Sequence, residues 1–499
     1  MILGLGSSSR SGRWGEGCLE LIRDLYSLSD FQELQNYLKS ESSQHLENFL
    51  NAGRRKGVSF KELYKELRMK GGTKGLCNSE TILSAALWSA QEEGCRINYL
   101  SLSEFFSPSG KTSNLDKLKC ALLETDGLII STPVYFGDHS SLVSELIRMI
   151  KSDPGISEGI KNKVYAGLAV GAKRNGGQET TLIYQIVDMI NLGMIAVGND
   201  SNTTAQYGGT SHAGDVGTAW KDEYGIWTSM GTGRRVAKTV KLLAYSEKRQ
   251  LKSKLKVGFW ITQDLDNFAS QQLEKLLETS EKLSISSRVF NVSKGYVRRC
   301  MACDICPKEI DEDSKYRCII NDPDDFLREN HQAIIDVDAV VPVAFIPKND
   351  KEIVSRYQVF NERLRYLRRG DYILSDFGLA PLLFEEIGSN DSMRMRIITS
   401  MIRHHTVMLS PMIGHVQEGR LLNFEDIEHN WREFIGMSKK LTIGRLARVL
   451  NEEVDSAYNP VGYVLSSKKD EEDMMLDKRQ EFCNLRKQKR KEEALIRLY

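Results

Sequence analysis

The chain has 499 residues, too many for one ordinary hydrophobic core, so two or three domains are expected. A hydrophobic content of 41% with 27% charge is that of a globular protein, and 68 basic against 67 acidic residues leave no global field to draw nucleic acid or a membrane surface. No apolar run approaches membrane-span length, no signal-peptide pattern opens the chain, and most of the nine cysteines are scattered, so the expectation is a reduced, cytoplasmic protein.

Ile2, Leu3 and Leu5 begin the chain as a buried strand would, and the run then breaks into Gly6-Ser7-Ser8-Ser9-Arg10-Ser11-Gly12. Such a loop leaving a parallel strand offers amides and hydroxyls to an anion, and Arg10 adds positive charge. A flexible Gly/Ser turn reads equally well from these residues alone. A polar, helix-prone insertion follows from Trp14 to Gly75, with apolar residues at spacings of three and four. Asn78 or Ser79 then caps a helix running to about Glu93, which supplies the second half of the anion loop.

Strands are expected at Arg96–Leu100, Gly127–Ser131, Lys163–Val170 and Met194–Val197. Helices alternate with them at Leu115–Glu124, Ser140–Ile150, Gln178–Ile190 and Gly231 to about Tyr245. The fold class is therefore α/β, a doubly wound parallel five-stranded sheet with its ligand outside the strands' C-terminal ends. Loops 6–12, 131–139 and 171–179 converge there. Pro133-Val134-Tyr135-Phe136-Gly137 can lay backbone and aromatic edges against a flat ligand, or the aromatic pair can pack on the neighbouring helix. Gly176-Gly177 open a basic loop that suits an anionic or carbonyl-bearing ligand, or a plain surface turn. The Gly- and Thr-rich segment Asn199–Tyr224 reads as a loop over the site or at a dimer contact. His139 and His212 are polar loop histidines, a type more often structural than in contact with substrate; both readings stand, and no general base is assigned.

Together, Gly6-Ser7-Ser8-Ser9-Arg10, Thr132-Pro133-Val134-Tyr135-Phe136-Gly137 and Gly176-Gly177-Gln178-Glu179 resemble the NAD(P)H-dependent FMN reductases of the flavodoxin-like fold, which include the iron–sulfur flavoproteins. The resemblance covers about residues 1–245. It implies FMN as cofactor, its phosphate at Ser7, Ser8, Ser9 and Arg10 with Asn78 and Ser79. It implies the isoalloxazine ring on Pro133, Val134, Tyr135, Phe136 and Gly137, and its polar edge near Gly176 and Gly177. NAD(P)H is the implied co-substrate, and a flavin, quinone or similar small molecule the implied electron acceptor. Related reductases are often dimers, so a second copy is one expected partner, unless the chain's own second domain stands in for it.

The second half restarts at Lys256-Val257-Gly258-Phe259-Trp260-Ile261-Thr262, with helices expected at Phe268–Leu283 and Ile353–Leu367 around a strand at Ala339–Ile346. It reads as a second, diverged flavodoxin-like domain in tandem. Thr262-Gln263-Asp264-Leu265-Asp266-Asn267 replaces the anion loop, and two carboxylates there repel a phosphate, so this copy is not expected to bind FMN by itself. Cys300, Cys303 and Cys306 recur at intervals of three, with Cys318 further on. In related iron–sulfur flavoproteins a compact four-cysteine loop ligates a [4Fe–4S] cluster; zinc, or metal-free packing or redox-labile thiols, are the other readings here. Arg298, Arg299 and Arg317 would offset the charge of four thiolates, or are plain surface charge.

The expected domains are 1–250, 251–420 and a helical, charged extension 421–499. Within the last, Lys468–Tyr499 reads as a solvated or partly disordered helix despite the basic run Arg486–Lys491. Three functions remain open: an FMN-dependent reductase, an electron carrier with FMN and a [4Fe–4S] cluster, and a non-catalytic flavodoxin-like scaffold.

Overall fold

A computed structural model describes residues 1–53, 59, 62, 74–200, 206–280, 283–303, 306, 316, 318–349, 355–389, 392–451 and 469–498. Part of the insertion expected at 14–75, Arg317, and the first residues of the helix expected from Ile353 lie outside them. The chain divides into two units, Met1–Val240 and Lys241–Tyr499.

In the first unit β1 (Ile2–Gly6) lies between β2 (Ile97–Ser101) and β3 (Gly127–Pro133), and β3 is followed by β4 (Val164–Gly171). All pairings are parallel, and the register sets Gly6 beside both Ser101 and Ser131 at the C-terminal edge. The fifth position is shared by two short strands, β5 (Ile195–Ala196) against the start of β4 and β6 (Gly208–His212) against its end. The order 2-1-3-4-5 is that of flavodoxin-like sheets. β6 falls inside the segment read from sequence as loop. Its opening Gly-Gly-Thr shows no apolar alternation because there is no room for it. A Cβ on Gly209 would come within 2.5 Å of Leu168 and 2.8 Å of Ser229.

Two amphipathic helices of the insertion, α1 (Glu16–Ser27) and α2 (Phe31–Gly53), precede the first crossover helix, α3 (Asn78–Glu92). The closing helix α4 (Glu223–Ser246) starts eight residues before its expected position at Gly231. Its first turns carry Gly225, Thr228, Ser229 and Thr232, poor helix formers whose hydroxyls turn back onto the helix's own carbonyls, as from Ser229 to Gly225 at 2.7 Å. A Cβ at Gly225 would meet Ser211 and Asp222 at 2.4 Å, so packing chose the small residues and hid the helix.

In the second unit β7 (Leu255–Gln263) lies between β8 (Ile285–Asn291) and β9 (Ala339–Ile346). The next two positions are each split, into β10 (Gly378–Leu379) with β11 (Leu382–Glu386) and β12 (Val407–Met408) with β13 (Met412–Gln417). Pro381 and Pro411 stand at the two breaks, where a ladder N–H is missing. These strands are parallel, and the antiparallel β14 (Arg420–Leu421) closes the edge.

The segment 421–499 is part of this unit rather than a separate one. Its helices α5 (Phe424–Leu450) and α6 (Lys469–Arg497) share a core of Ile443, Leu446, Ala447, Ala494 and Leu498. The C-terminal helix is thus packed, where a solvated or partly disordered one was expected: Cys483, Ala494 and Leu498 are buried, while Leu485, Leu495 and Ile496 stay exposed. Trp431 is buried and donates to Ser280 Oγ at 2.7 Å.

Asp338, just before β9, anchors both helices. Its buried carboxylate accepts from Arg445 at 3.1 Å, from Arg497 at 2.6 and 2.9 Å, and from the Lys256 amide at 3.0 Å. Burial alone would raise its pKa; the two guanidinium groups and the amide outweigh that and hold it below the ordinary aspartate value. Its contribution to stability is therefore complete above the unfolded-state pKa and is lost as pH falls toward the depressed folded value. Asp338→Asn leaves two buried guanidinium groups without their counter-charge, so it should cost about 3–5 kcal/mol in denaturant unfolding followed by tryptophan emission. Unfolding at the wild-type midpoint would show that the pair anchors nothing.

Candidate active site

At the end of β1 the chain turns through Ser7–Arg13. Ser7 is tied to the neighbouring strand, its amide and hydroxyl both 2.9 Å from the Ser131 carbonyl, while Ser140 Oγ donates to Ser7 O at 2.7 Å. Ser8 Oγ accepts from the Arg10 amide at 3.1 Å and tightens the turn. Among the described residues no hydrogen bond uses the Ser8 or Ser9 amides, and Ser9 and Arg10 are exposed. The Arg10 guanidinium lies 5.0 Å from the Phe49 ring centre.

Behind this turn is a buried carboxylate that sequence analysis did not single out. Glu80 is fully buried in the first turn of α3. It accepts from Gly12 N at 2.8 Å, Arg13 N at 3.1 Å, Cys77 N at 2.8 Å and Tyr99 OH at 2.6 Å, and also from the Ser11 hydroxyl. Burial and the Glu80 charge push the Tyr99 phenol well above its ordinary pKa, so it remains a donor. Cys77, not Asn78 or Ser79, is the N-cap of α3, and burial pushes its thiol up as well. The S/T/N-x-x-E spacing of a capping box was the available signal, with cysteine in the cap position hiding it.

Asn78 therefore sits one place inside the helix, and its side chain is spent on another loop. It donates to Asp215 O at 3.0 Å and accepts from Thr218 N at 3.0 Å and Ala219 N at 3.1 Å. What Asn78 and Ser79 retain for an anion is their backbone amides, which as first-turn groups have no partner inside the helix. Ser79 is buried, and its carbonyl accepts from Ser131 Oγ at 2.7 Å.

After β3, Val134 N bonds Val170 O at 2.9 Å, and Tyr135 and Asp138 exchange both backbone hydrogen bonds. The tight turn between them puts Phe136 and Gly137 in the left-handed region, with φ of 55° and 82°. Phe136 is 108% exposed and so packs on no neighbouring helix, while Tyr135 is 50% exposed. Gly177, with φ of 99°, caps the helix Gln178–Asn191 and comes so close that a Cβ would stand 2.9 Å from Gly137 Cα. Loops two and three thus touch. Gln178 braces the third loop by donating to Lys173 O at 2.6 Å and Ser211 O at 3.0 Å.

Beyond β6, Asp222 is buried and gathers His212 N at 2.8 Å, Ser211 Oγ at 3.0 Å and the Arg174 guanidinium. Burial would raise its pKa; the His212 and Gly225 amides and Arg174 hold it below the usual aspartate range. His212, Gly214, Asp215, Thr218, Lys221 and Asp222 line an open cleft of about 330 Å³. His139 has Nε2 3.1 Å from Ser144 Oγ and Nδ1 3.0 Å from Asp138 Oδ1.

Of the four cysteines in the second unit, Cys318 is buried and Cys300, Cys303 and Cys306 are partly so. Burial, then the neighbouring Cys318 and Cys303, pushes the Cys306 thiol up to about 11. Among the described residues no three Cys, His, Asp or Glu side chains converge as a metal-ligand set.

Glu80→Gln keeps the volume of the side chain but replaces one acceptor oxygen with a donor facing donors. Amide exchange at Gly12, Arg13 and Cys77 should accelerate by an amount equivalent to about 1–3 kcal/mol. Unchanged protection would show that the loop holds without Glu80.

The sequence pattern of the NADPH-dependent FMN reductase family matches residues 71–208. An iron–sulfur flavoprotein of Methanocaldococcus jannaschii is 33% identical over 193 residues, 36% of this chain and 98% of the relative. A second iron–sulfur flavoprotein, from Methanosarcina thermophila, is 29% identical over 180 residues, 33% of this chain and 90% of the relative. An NAD(P)H dehydrogenase (quinone) of Caulobacter vibrioides is 28% identical over 131 residues, 24% of this chain and 64% of the relative. With a 2-1-3-4-5 parallel sheet and a serine-rich turn at its C-terminal edge, the chain belongs to the flavodoxin-like family of NADPH-dependent FMN reductases and iron–sulfur flavoproteins.

Proposed function

We propose that the first unit is an FMN-dependent oxidoreductase that takes electrons from NAD(P)H and passes them to a small acceptor such as a flavin or quinone. The observation that carries this reading is the set of donors left open at the edge of the sheet. The Ser8 and Ser9 amides and the exposed Arg10 stand beside the first turn of α3, whose leading amides have no helical partner. Glu80 takes the amides on the other side of the turn, so its charge is answered by five donors and does not face the anion position. These residues fit a phosphate dianion.

The ring end fits as well. An exposed Phe136, with open space where a Cβ at Gly137 would stand, presents an aromatic face and a backbone edge. FMN, when bound, supplies the hydride chemistry. The chain's own part is positioning: Ser8, Ser9 and Arg10 hold the phosphate, Pro133–Gly137 orient the ring, and Gly176 and Gly177 let the third loop approach it. Quinone as acceptor is supported by the Caulobacter vibrioides relative, an NAD(P)H dehydrogenase (quinone).

The second unit reads as a diverged tandem copy, with the same parallel order of its five strand positions. Its anion position is filled from within. Asp264 accepts from Ala269 N at 2.8 Å and Ser270 N at 3.3 Å, while Phe268 N bonds Leu265 O at 2.9 Å, so the helix start has no free amide for a phosphate. We assign no electron path to the four cysteines; iron analysis of anaerobically purified protein tests the alternative of an iron–sulfur electron carrier.

The purified protein should be yellow, and anaerobic NADPH or NADH should bleach the flavin band at about 450 nm. A colourless protein that fails to take up added FMN would overturn the reading. A flavin band that neither nucleotide bleaches would restrict it to electron carriage without a nicotinamide site.

A further inference from the structure

The basic run Arg486–Lys491 of α6 is only partly solvated: Arg486 is buried and Arg490 half-buried, while Lys489 is exposed. Arg486, Arg490, Glu493 and Arg497 recur at spacings of four, three and four, so they share one face of the helix. These residues line a cavity of about 160 Å³ together with Arg445 of α5, Lys256 at the start of β7 and Asp336–Asp338 just ahead of β9. The cavity thus lies at the N-terminal edge of the second unit's sheet. Parallel sheets of this order hold their usual ligands at the other edge, so this cavity has no part in the FMN reading.

Its lining is out of charge balance. Lys256, Arg445, Arg486, Lys489, Arg490 and Arg497 stand against three carboxylates, Asp336, Asp338 and Glu493. Each carboxylate is already engaged: Asp338 by Arg445 and Arg497, Asp336 by Lys256 at 2.6 Å and Arg288 at 2.8 Å, and Glu493 by Arg497 at 2.7 Å. Arg445 registers the crowding. Burial pushes its guanidinium down to about 10, and Arg490 and Arg497 push the same way against Asp338 and Glu493. Cations gathered out of water are costly unless an anion answers them.

Size and geometry select the anion. Guanidinium forks match the oxygens of a phosphate group, and Arg445 is held for that role with its guanidinium 4.0 Å from the Phe377 ring centre. The volume is below the roughly 300 Å³ at which drug-sized sites begin, which admits phosphate or pyrophosphate and excludes a nucleotide. We propose that this cavity binds a small phosphate oxyanion, inorganic phosphate or pyrophosphate, which joins α6 to α5 and to the edge of the sheet.

The test is calorimetric titration of the full chain with each ion, at constant ionic strength set by sodium chloride. One of the two should bind saturably, the tighter being the ligand, and AMP should not displace it. Lys489→Gln and Arg490→Gln should each weaken that binding by at least about tenfold, and Lys489→Glu should abolish it. Arg10→Ala, in the serine-rich turn of the first unit, should leave it unchanged. In the wild type the bound ion should slow amide exchange at 336–338 and 484–498, a readout that needs no variant to fold. The proposal is overturned if neither ion binds, if AMP displaces the ion, or if Lys489→Gln and Arg490→Gln bind it as tightly as the wild type. Equal protection by sodium chloride at the same ionic strength would also overturn it.

Discussion

The five donors gathered by Glu80 join two pieces of chain that the covalent backbone leaves far apart. In this sheet order the turn after the first strand normally runs straight into the first crossover helix, and the anion site lies between them. Here an insertion separates Gly12 from Asn78, so adjacency must be rebuilt without continuity. Glu80 does this by reaching from the first turn of α3 to the amides of Gly12 and Arg13 while also closing on Cys77. A buried carboxylate is costly unless its lone pairs are met, and this one meets five donors. On the insertion side, the buried Arg13 guanidinium reaches Glu41 at 2.6 Å and Asp24 at 3.2 Å, which ties the same loop to α1 and α2.

The two units show how little the sheet decides about chemistry. Both place five strand positions in the same parallel order, and in both a carboxylate stands near the start of the first crossover helix. In the first unit that carboxylate comes from the helix and takes the far side of the turn, which leaves the Ser8 and Ser9 amides open. In the second it comes from the loop, as Asp264, and takes the helix amides themselves. The difference is one of which donors are consumed, and it separates a turn with open amides from a closed one.

Much of this was legible in the sequence where local pattern and tertiary role agree. Strands β1, β3, β4, β7 and β9 are buried on both faces and read as apolar runs. The three loops at their ends carry glycine, proline and serine where turns require them, as at Gly177, whose φ and closeness to Gly137 exclude a side chain. What stayed hidden was set by packing between distant segments. β6 and the start of α4 carry small residues where each lies against the other, as at Gly209 against Ser229 and Gly225 against Ser211, and such residues look like loop. Cys77 caps a helix that Asn78 advertises better, and Asn78 is free to brace the 215–219 segment for that reason.

The account stands or falls on whether the split loop binds a phosphate. Titrating flavin-free protein with FMN and with riboflavin, which differ only in that group, measures this directly through quenching of flavin fluorescence. The structure predicts clearly tighter binding of FMN, with the advantage shrinking as ionic strength rises because Arg10 is exposed. Equal affinity for the two flavins would contradict it.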